Sequence, residues 1–343
     1  MRSSKTLKSI LCTILSLLLC ISVLYGGYYG TDKQSYMDNS YRRKLSGTLD
    51  TLIIGASHAW NAFIPEILDK ELDCNSYNLS NGLMPMHARK VFLEKEIARN
   101  QIHTVVLEIT YDALARSESS ENAEGDEMAI ARLDNMTERF NYLKTYVPFD
   151  NWINIFSRGL IRSVQTWMNI LTFKNVSHSQ KGYLEKPAFE SIAKMKEHHS
   201  DELSVEELNQ DAVTQFSDII KMCQKNNIRT IVVVTPCSNK FIWKRSGLNA
   251  FWFWLREFCG KEKCELYDFN LLKNKDELFN DRFSYFDEGH LSYEGAQSFS
   301  KVFCEVIKTK ENERSQFFYE DYKIPEENTR KTVENYSKIN GYH

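Results

Sequence analysis

Residues 50–60 read DTLIIGASHAW, and this stretch decides the fold. Leu52, Ile53 and Ile54 follow β-branched Thr51 without a polar interruption, and the run stops at Gly55. An unbroken apolar run of this length, closed by glycine, reads as a strand buried on both faces rather than as an amphipathic edge. A serine, Ser57, follows the glycine by one residue, with His58 beside it. In an open α/β sheet the reactive groups gather beyond the carboxyl ends of the strands, where Ser57 then stands.

Working outward, the same type of strand recurs. HTVVLEITY (103–111) and IRTIVVVTPCS (228–238) are buried strands, NSYNLSNG (75–82) is a short strand ending in a turn, and CELYDFN (264–270) is a fifth. Helical spacing separates them in IPEILDKEL (64–72), MHARKVFLEKEIARNQ (86–101), SVEELNQDAVTQFSDIIKMCQKNN (204–227), LNAFWFWLREFCG (248–260) and SYEGAQSFSKVFCEVIKT (292–309). Ser204 and Glu207 have the spacing of a capping box that opens the third of these helices. Strands alternating with helices give a three-layer, flavodoxin-like α/β domain with a parallel five-stranded sheet, expected over residues 49–309. Residues 112–200 interrupt the alternation. SESSENAEGDE (117–127) reads as an acidic loop and the aromatic-rich segment 140–173 as helical, so a helical insertion capping the active edge is expected. The polar tail, 310–343, is expected to be loosely attached or disordered.

The amino terminus reads differently. Arg2, Lys5 and Lys8 precede the apolar run ILCTILSLLLCISVLY (10–25), which continues through GGYYG. With its glycine and tyrosine end the run reaches the roughly 20 residues needed to cross a bilayer. Residues 1–31 are read as a single-pass membrane anchor, with a cleaved signal peptide as the alternative, and 32–48 as a spacer. Either reading places the domain on the extracytoplasmic side. A net charge of −3 over 343 residues leaves no polycationic footprint for nucleic acid. Eight cysteines without a C-x-x-C pair make no zinc motif, and only Cys259 and Cys264 are spaced to close a small loop.

The candidate chemistry lies near the carboxyl end, in FSYFDEGHLSYEGA (283–296). Asp287 precedes His290 by three residues on one loop, close enough to orient the imidazole and stabilise its protonated form. This loop follows the fifth strand, so His290 falls on the sheet edge that carries Ser57, as the base that a serine hydroxyl requires. Asp281 is the alternative acid. His58 is read as lining the substrate site or as a structural histidine, Glu108 as structurally hydrogen-bonded, and His87 and His103 as surface or helix-start residues. KGYLEKP (181–187), with Lys181 and Tyr183, is read as a plain loop.

These residues together resemble the SGNH/GDSL-type hydrolases: a Gly-x-Ser after the first strand (GASH), a glycine after the second (SNG), and Asp-x-x-His-Leu before the last helix (DEGHL). More narrowly, the chain is similar to membrane-anchored members of bacterial cell envelopes, among them the lipoteichoic acid D-alanyl transfer protein and proteins that work beside membrane-bound O-acyltransferases. The resemblance implies Ser57 as nucleophile, His290 as base, Asp287 as the orienting acid, and the amides of Gly82 and Ser57 as oxyanion donors, without cofactor or metal. It implies a cell-envelope glycan or teichoic-acid-like polymer as substrate and a membrane O-acyltransferase as a possible partner. Two positions depart from the common pattern. Ala56 stands where an aspartate precedes the serine, and LEITYDA stands where a Gly-x-Asn-Asp block supplies an oxyanion asparagine, leaving Asn81 or Thr110 as substitutes. The alternative function is a non-catalytic envelope protein that binds glycan or the acyltransferase on the same fold.

Overall fold

The computed structural model of the chain describes residues 6–18, 41–115, 123–155, 157–158, 180–188, 201–280 and 283–339. Its centre is a parallel five-stranded sheet built from β1 (Thr51–Ile54), β2 (Ser76–Asn78), β3 (Thr104–Glu108), β4 (Arg229–Val234) and β5 (Glu265–Asp268), in the order β2-β1-β3-β4-β5. That order turns back between β1 and β3, so the crevice at the carboxyl end of β1 is the switch point where such sheets bind ligands.

The inner strands β1, β3 and β4 are mostly apolar because both faces are covered, whereas the edge strands β2 (Ser76–Asn78) and β5 (Glu265–Asp268) carry polar residues. Leu52, Ile54, Val105, Leu107, Val232 and Val234 face one core, with Phe92, Phe216 and Leu255 of the covering helices α3 (Met86–Arg99), α6 (Gln210–Lys225) and α7 (Leu248–Glu262). The alternate residues Ile53, Val106, Ile231 and Val233 face the other core, against α1 (Ser57–Ala62), α2 (Pro65–Leu72) and α8 (Tyr293–Lys308). The period of two along each strand thus divides the sheet between two helical layers. In the second core, Phe63, Phe299 and Phe303 meet edge-to-face at 4.9 and 5.2 Å from the Phe63 ring. The three-layer α/β expectation holds.

Several local expectations are corrected. Ser204 and Glu207 form no capping box. Ser204 precedes a short 3₁₀ turn, Val205–Glu207, and its hydroxyl donates to Glu206 at 2.5 Å. Asn209 caps α6 instead, accepting from the amides of Asp211 and Ala212, because a carbonyl oxygen at that position reaches both orphan N–H groups. The second half of the acidic 117–127 segment is not a loop but the start of α4 (Ala123–Ala131), in which Asp126 and Glu127 are buried. Helix α5 (Met136–Tyr146) follows, capped by Asn135. Cys259 and Cys264 are free thiols; Cys259 is turned into the core, and the Cys264 thiol donates to the Cys259 carbonyl at 3.7 Å.

The tail is docked, not loose. Residues 311–317 form a 3₁₀ segment and Lys323–Ile339 a helix, α9. Arg314 is buried against the Glu265 carboxylate and the Ile307 carbonyl, the Trp252 indole donates to the Glu320 carbonyl, and the Tyr322 hydroxyl donates to Asp268 at 2.6 Å. A few buried anchors suffice to fix a segment whose average composition is polar. Burial pushes the Asp268 carboxyl up to about 6, against the hydrogen bonds from Tyr322 and Asn270. A carboxyl with a raised folded pKa holds its proton more tightly in the native state, so it costs stability as pH rises from about 4 to about 6 and no more above that. Asp268→Asn therefore gains on the wild type across that window, by on the order of 2–3 kcal/mol. Thermal melts of the two proteins in steps from pH 4 to 7 check this; a constant difference would refute it.

Of the expected membrane anchor, residues 6–18 form a helix exposed along its length, and residues 19–31 lie outside the described residues, as does the spacer up to residue 40. Among the described residues no helix is long and apolar enough to cross a membrane.

Candidate active site

The site is assembled from the two ends of the fold. Gly55 ends β1, and the chain turns at once into α1. The turn is tight: a Cβ at Gly55 would stand 2.5 Å from the Glu108 carboxylate and 2.6 Å from the Ala59 Cβ, so the glycine is required by close approach. Ala56 offers α1 no side-chain cap. Its N–H donates instead to the Glu108 carboxylate at 2.8 Å, from the end of β3, and Arg89 stands on the same carboxylate at 4.0 Å. Glu108 and Arg89 are fully buried, which agrees with the structural reading of Glu108 and gives it a job under the serine turn.

The loop after β5 brings the other half. Tyr285 and Leu291 pair as an antiparallel bridge, and the Phe286 N–H donates to the His290 carbonyl at 2.8 Å. Ser292 caps α8, and Gly295 lets the first turn of that helix pack against the Ser284 carbonyl, 1.9 Å from where a Cβ would be. The hairpin so closed holds Asp287 beneath His290. The His290 Nδ1 lies 2.8 Å from both oxygens of Asp287, and its Nε2 lies 2.7 Å from the Ser57 Oγ. Asp287 also accepts the backbone N–H of Gly289 and of His290, each at 2.9 Å. Partial burial alone would raise the Asp287 carboxyl, but the His290 hydrogen bond and charge, with these two amides, outweigh it and hold it below the ordinary carboxylate range. An ionised Asp287 accepts from Nδ1–H, which leaves the Nε2 lone pair for the serine hydroxyl.

Ser57, His58, Thr110, Asp287 and His290 line one cavity of about 550 Å³. The His58 ring lies against the His290 ring at 4.6 Å, so it lines the site and does not serve as the base for Ser57. Thr110 accepts the Ala113 N–H at 3.3 Å, and its side chain is occupied in that turn. Gly82 and Asn81 do not reach the cavity wall; the next residue, Leu83, does, in a left-handed conformation with φ 53°. Asn81 is buried with both amide atoms unpaired. The Leu83 turn is held from outside by Arg132, which donates to the carbonyls of Leu79 and Ser80, and by the close seating of Gly125 on the Leu83 carbonyl. The insertion thus buttresses the wall of the cavity: of its described residues only Asp112 and Ala113 line it. Asp281 lies outside the described residues.

Other residues at the site carried no signal in the sequence. Lys240 and Lys244 both pair with Glu288, and Arg245 pairs with Asp112 while lying 4.0 Å over the Phe241 ring. His87 is corrected most: it starts α3 as expected but is buried, on the cavity wall, with Asp126 at 2.7 Å. His103 precedes β3, where its N–H donates to the Asp50 carbonyl. The 181–187 segment straps the fold, bonding α1 through Leu184 and α8 through the Lys186 carbonyl. Among the described residues no group of three or more His, Cys, Asp or Glu side chains is arranged to hold a metal ion.

No protein-family model matches the chain, and no curated protein is significantly similar to it. Among solved structures it is similar to a GDSL-like lipase from Bacteroides thetaiotaomicron (8% identity, TM-score 0.40, over 80% of this chain and 97% of that one). A candidate acylhydrolase from Bacteroides fragilis (11%, 0.37, 78% and 93%) and a G-D-S-L family protein from Desulfitobacterium hafniense (9%, 0.35, 75% and 99%) are similar to the same degree. Likeness at this level bears on neither substrate nor activity, and the chemistry of the site rests on its own geometry.

Proposed function

We propose that this protein is a serine esterase or O-acyltransferase that works through Ser57, His290 and Asp287. The observation that carries the reading is the unbroken chain of contacts from Ser57 Oγ to His290 to Asp287, each at hydrogen-bond distance and open to a cavity. In the reaction, Ser57 Oγ attacks an ester carbonyl carbon while His290 Nε2 takes the hydroxyl proton. Asp287 stabilises the imidazolium that results. The tetrahedral adduct collapses, the ester C–O bond breaks, and His290 returns the proton to the leaving oxygen. Water or an acceptor hydroxyl then loses its proton to His290 and attacks the acyl carbon, the acyl C–Oγ bond breaks, and His290 returns the proton to Ser57 Oγ. The oxyanion donors in this scheme are the Ser57 amide, at the first turn of α1, and the amide of Leu83, the residue of the 82–83 turn that reaches the cavity. The steps need no group beyond these.

The basic start followed by a long apolar run supports a domain held at the membrane on its extracytoplasmic side. We place its substrate among the acylated glycans or teichoic-acid-like polymers of the cell envelope, with a membrane O-acyltransferase as the partner that hands over acyl groups. The cavity wall mixes apolar residues such as Leu83 and Met84 with polar ones such as Gln215, which gives a hydroxylated polymer both contact area and hydrogen-bond partners. The reading is tested on the full chain in detergent. A fluorophosphonate should add one phosphonyl group at Ser57, seen by intact and peptide mass spectrometry, and p-nitrophenyl acetate should be hydrolysed. A folded wild type that does neither would sink the enzyme and favour the rival, a non-catalytic glycan- or partner-binding protein, whose support is the missing Gly-x-Asn-Asp block.

A further inference from the structure

The cavity holds a second imidazole anchored by a carboxylate, and the scheme above leaves it idle. His87 is the second residue of α3, only 4% exposed, and is one of the residues that line the cavity. Its Nε2 lies 2.7 Å from Asp126 Oδ1, and the Tyr142 hydroxyl donates to the same oxygen at 2.6 Å. Burial, then the Asp126 charge and the hydrogen bond to it, push the Tyr142 phenol well up, so it stays a donor to the carboxylate. Tyr146 lies flat on the imidazole, 5.1 Å away and within 7° of parallel. The ring is therefore fixed in plane and in position by three elements: α3, α4 and α5.

The tautomer follows from the partner. The Asp126 oxygen that takes the Tyr142 hydroxyl is an acceptor, so the Nε2–H donates to it and in the neutral ring the lone pair sits on Nδ1. This is the arrangement at His290 with the two nitrogens exchanged: there Asp287 holds Nδ1 and the serine meets Nε2. The difference is that the exposed nitrogen of His290 has its partner in the protein, whereas Nδ1 of His87 has none among the described residues. A rigid, carboxylate-backed acceptor on the wall of a substrate cavity, with no partner of its own, is completed by a donor that the substrate brings. At about 550 Å³ the cavity holds far more than an acetyl group. Its remaining wall sets the polar Asn209 and Gln215 beside the apolar Leu83, Met84, Met86 and Phe241, a mixture that suits the hydroxyl and C–H faces of a sugar ring.

We propose that His87, held by Asp126, is a specificity-determining residue that accepts a hydrogen bond from a hydroxyl group of the sugar carrying the ester that Ser57 attacks. The inference rests on the serine-esterase reading of the site and names how that site selects its substrate. It predicts that the alcohol part of the ester, not the acyl part, is what the cavity recognises.

The test compares two acetyl esters on the full chain in detergent: p-nitrophenyl acetate, whose alcohol part has no hydroxyl to offer, and a mono-O-acetylated methyl glycoside, followed by acetate release. His87→Phe keeps a ring in place and removes the acceptor; His87→Gln keeps an acceptor oxygen. The expected result is that His87→Phe loses roughly 10- to 100-fold more kcat/KM on the glycoside than on p-nitrophenyl acetate, chiefly through KM, and that His87→Gln recovers part of the difference. Equal losses on both esters in both variants would reduce His87 to a packing residue and overturn the proposal, as would a glycoside kcat/KM unchanged by His87→Phe. Fluorophosphonate labelling of Ser57 separates the levels. A wild type that is not labelled removes the esterase reading itself, whereas labelled variants with unchanged ester preference remove only the role of His87.

Discussion

Ser57→Ala is expected to lower kcat for p-nitrophenyl acetate by about 10⁴- to 10⁶-fold and to abolish fluorophosphonate labelling, with no loss of folding stability. The reason is local. Ser57 is partly exposed at the first turn of α1 and gives up only the hydroxyl that meets His290, so no buried partner is orphaned. Without Oγ there is no nucleophile, and what remains is the modest help that the cavity gives to water. His290→Ala should fall to a similar floor, because a serine without its base is almost as inert as no serine. The double variant should then be no worse than either single one, the mark of groups that act as a unit. Steady-state kinetics with the four proteins decides it. A Ser57→Ala protein keeping a tenth of the activity, or losses that multiply in the double variant, would break the mechanism.

The second large effect lies beneath the site. Glu108→Ala should destabilise the domain by about 3–5 kcal/mol, since it leaves the fully buried Arg89 without its carboxylate and the Ala56 N–H without its acceptor. Arg89 also donates to the backbone carbonyls of Glu108 and Met84, so it cannot swing out to water without breaking the wall of the cavity. The pair is better judged by replacing both members. Glu108→Leu with Arg89→Met should recover most of the stability, as apolar replacement of a buried pair commonly does. Activity should not return with it, because the serine turn is still missing the acceptor that fixes Ala56. Urea unfolding measures the first quantity and p-nitrophenyl acetate turnover the second. Equal stability of the Glu108→Ala protein and the wild type would show that the buried pair does no net work. Full activity in the double variant would show that the anchor under Ala56 is dispensable.

Much of this molecule is legible in its sequence for a simple reason: the central strands, covered on both faces, are nearly continuous apolar runs, and such runs announce themselves. The same continuity places Ser57 after β1 and the Asp287–His290 loop after β5, and parallel topology then puts them on one edge. Polar pairings over long separations leave no such trace. His87 and Asp126 stand 39 positions apart, and neither has neighbours that mark it as buried. Asp126 sits in an acidic stretch whose composition suggests solvent, and only the helix it joins turns it inward. Ser204 and Glu207 show the converse. They match a helix-start pattern, but Asn209 lies closer to the first apolar face and takes the cap. In the tail, averaging hides the decisive residues, since Tyr322 and Arg314 are each buried in an otherwise polar segment.

The hydrogen bond between Ser57 and His290 joins residues 233 positions apart, and 236 positions are bridged where the Ile64 amide donates to the Ser300 hydroxyl. In the proposed mechanism the nucleophile opens α1, just after β1, and its base lies in the loop before α8. On that mechanism Ser57 stays an ordinary alcohol while the chain is being synthesised, until almost the whole domain has emerged and α8 can close onto α1. Reactivity, on that mechanism, waits for the far end of the domain and cannot be built up piece by piece.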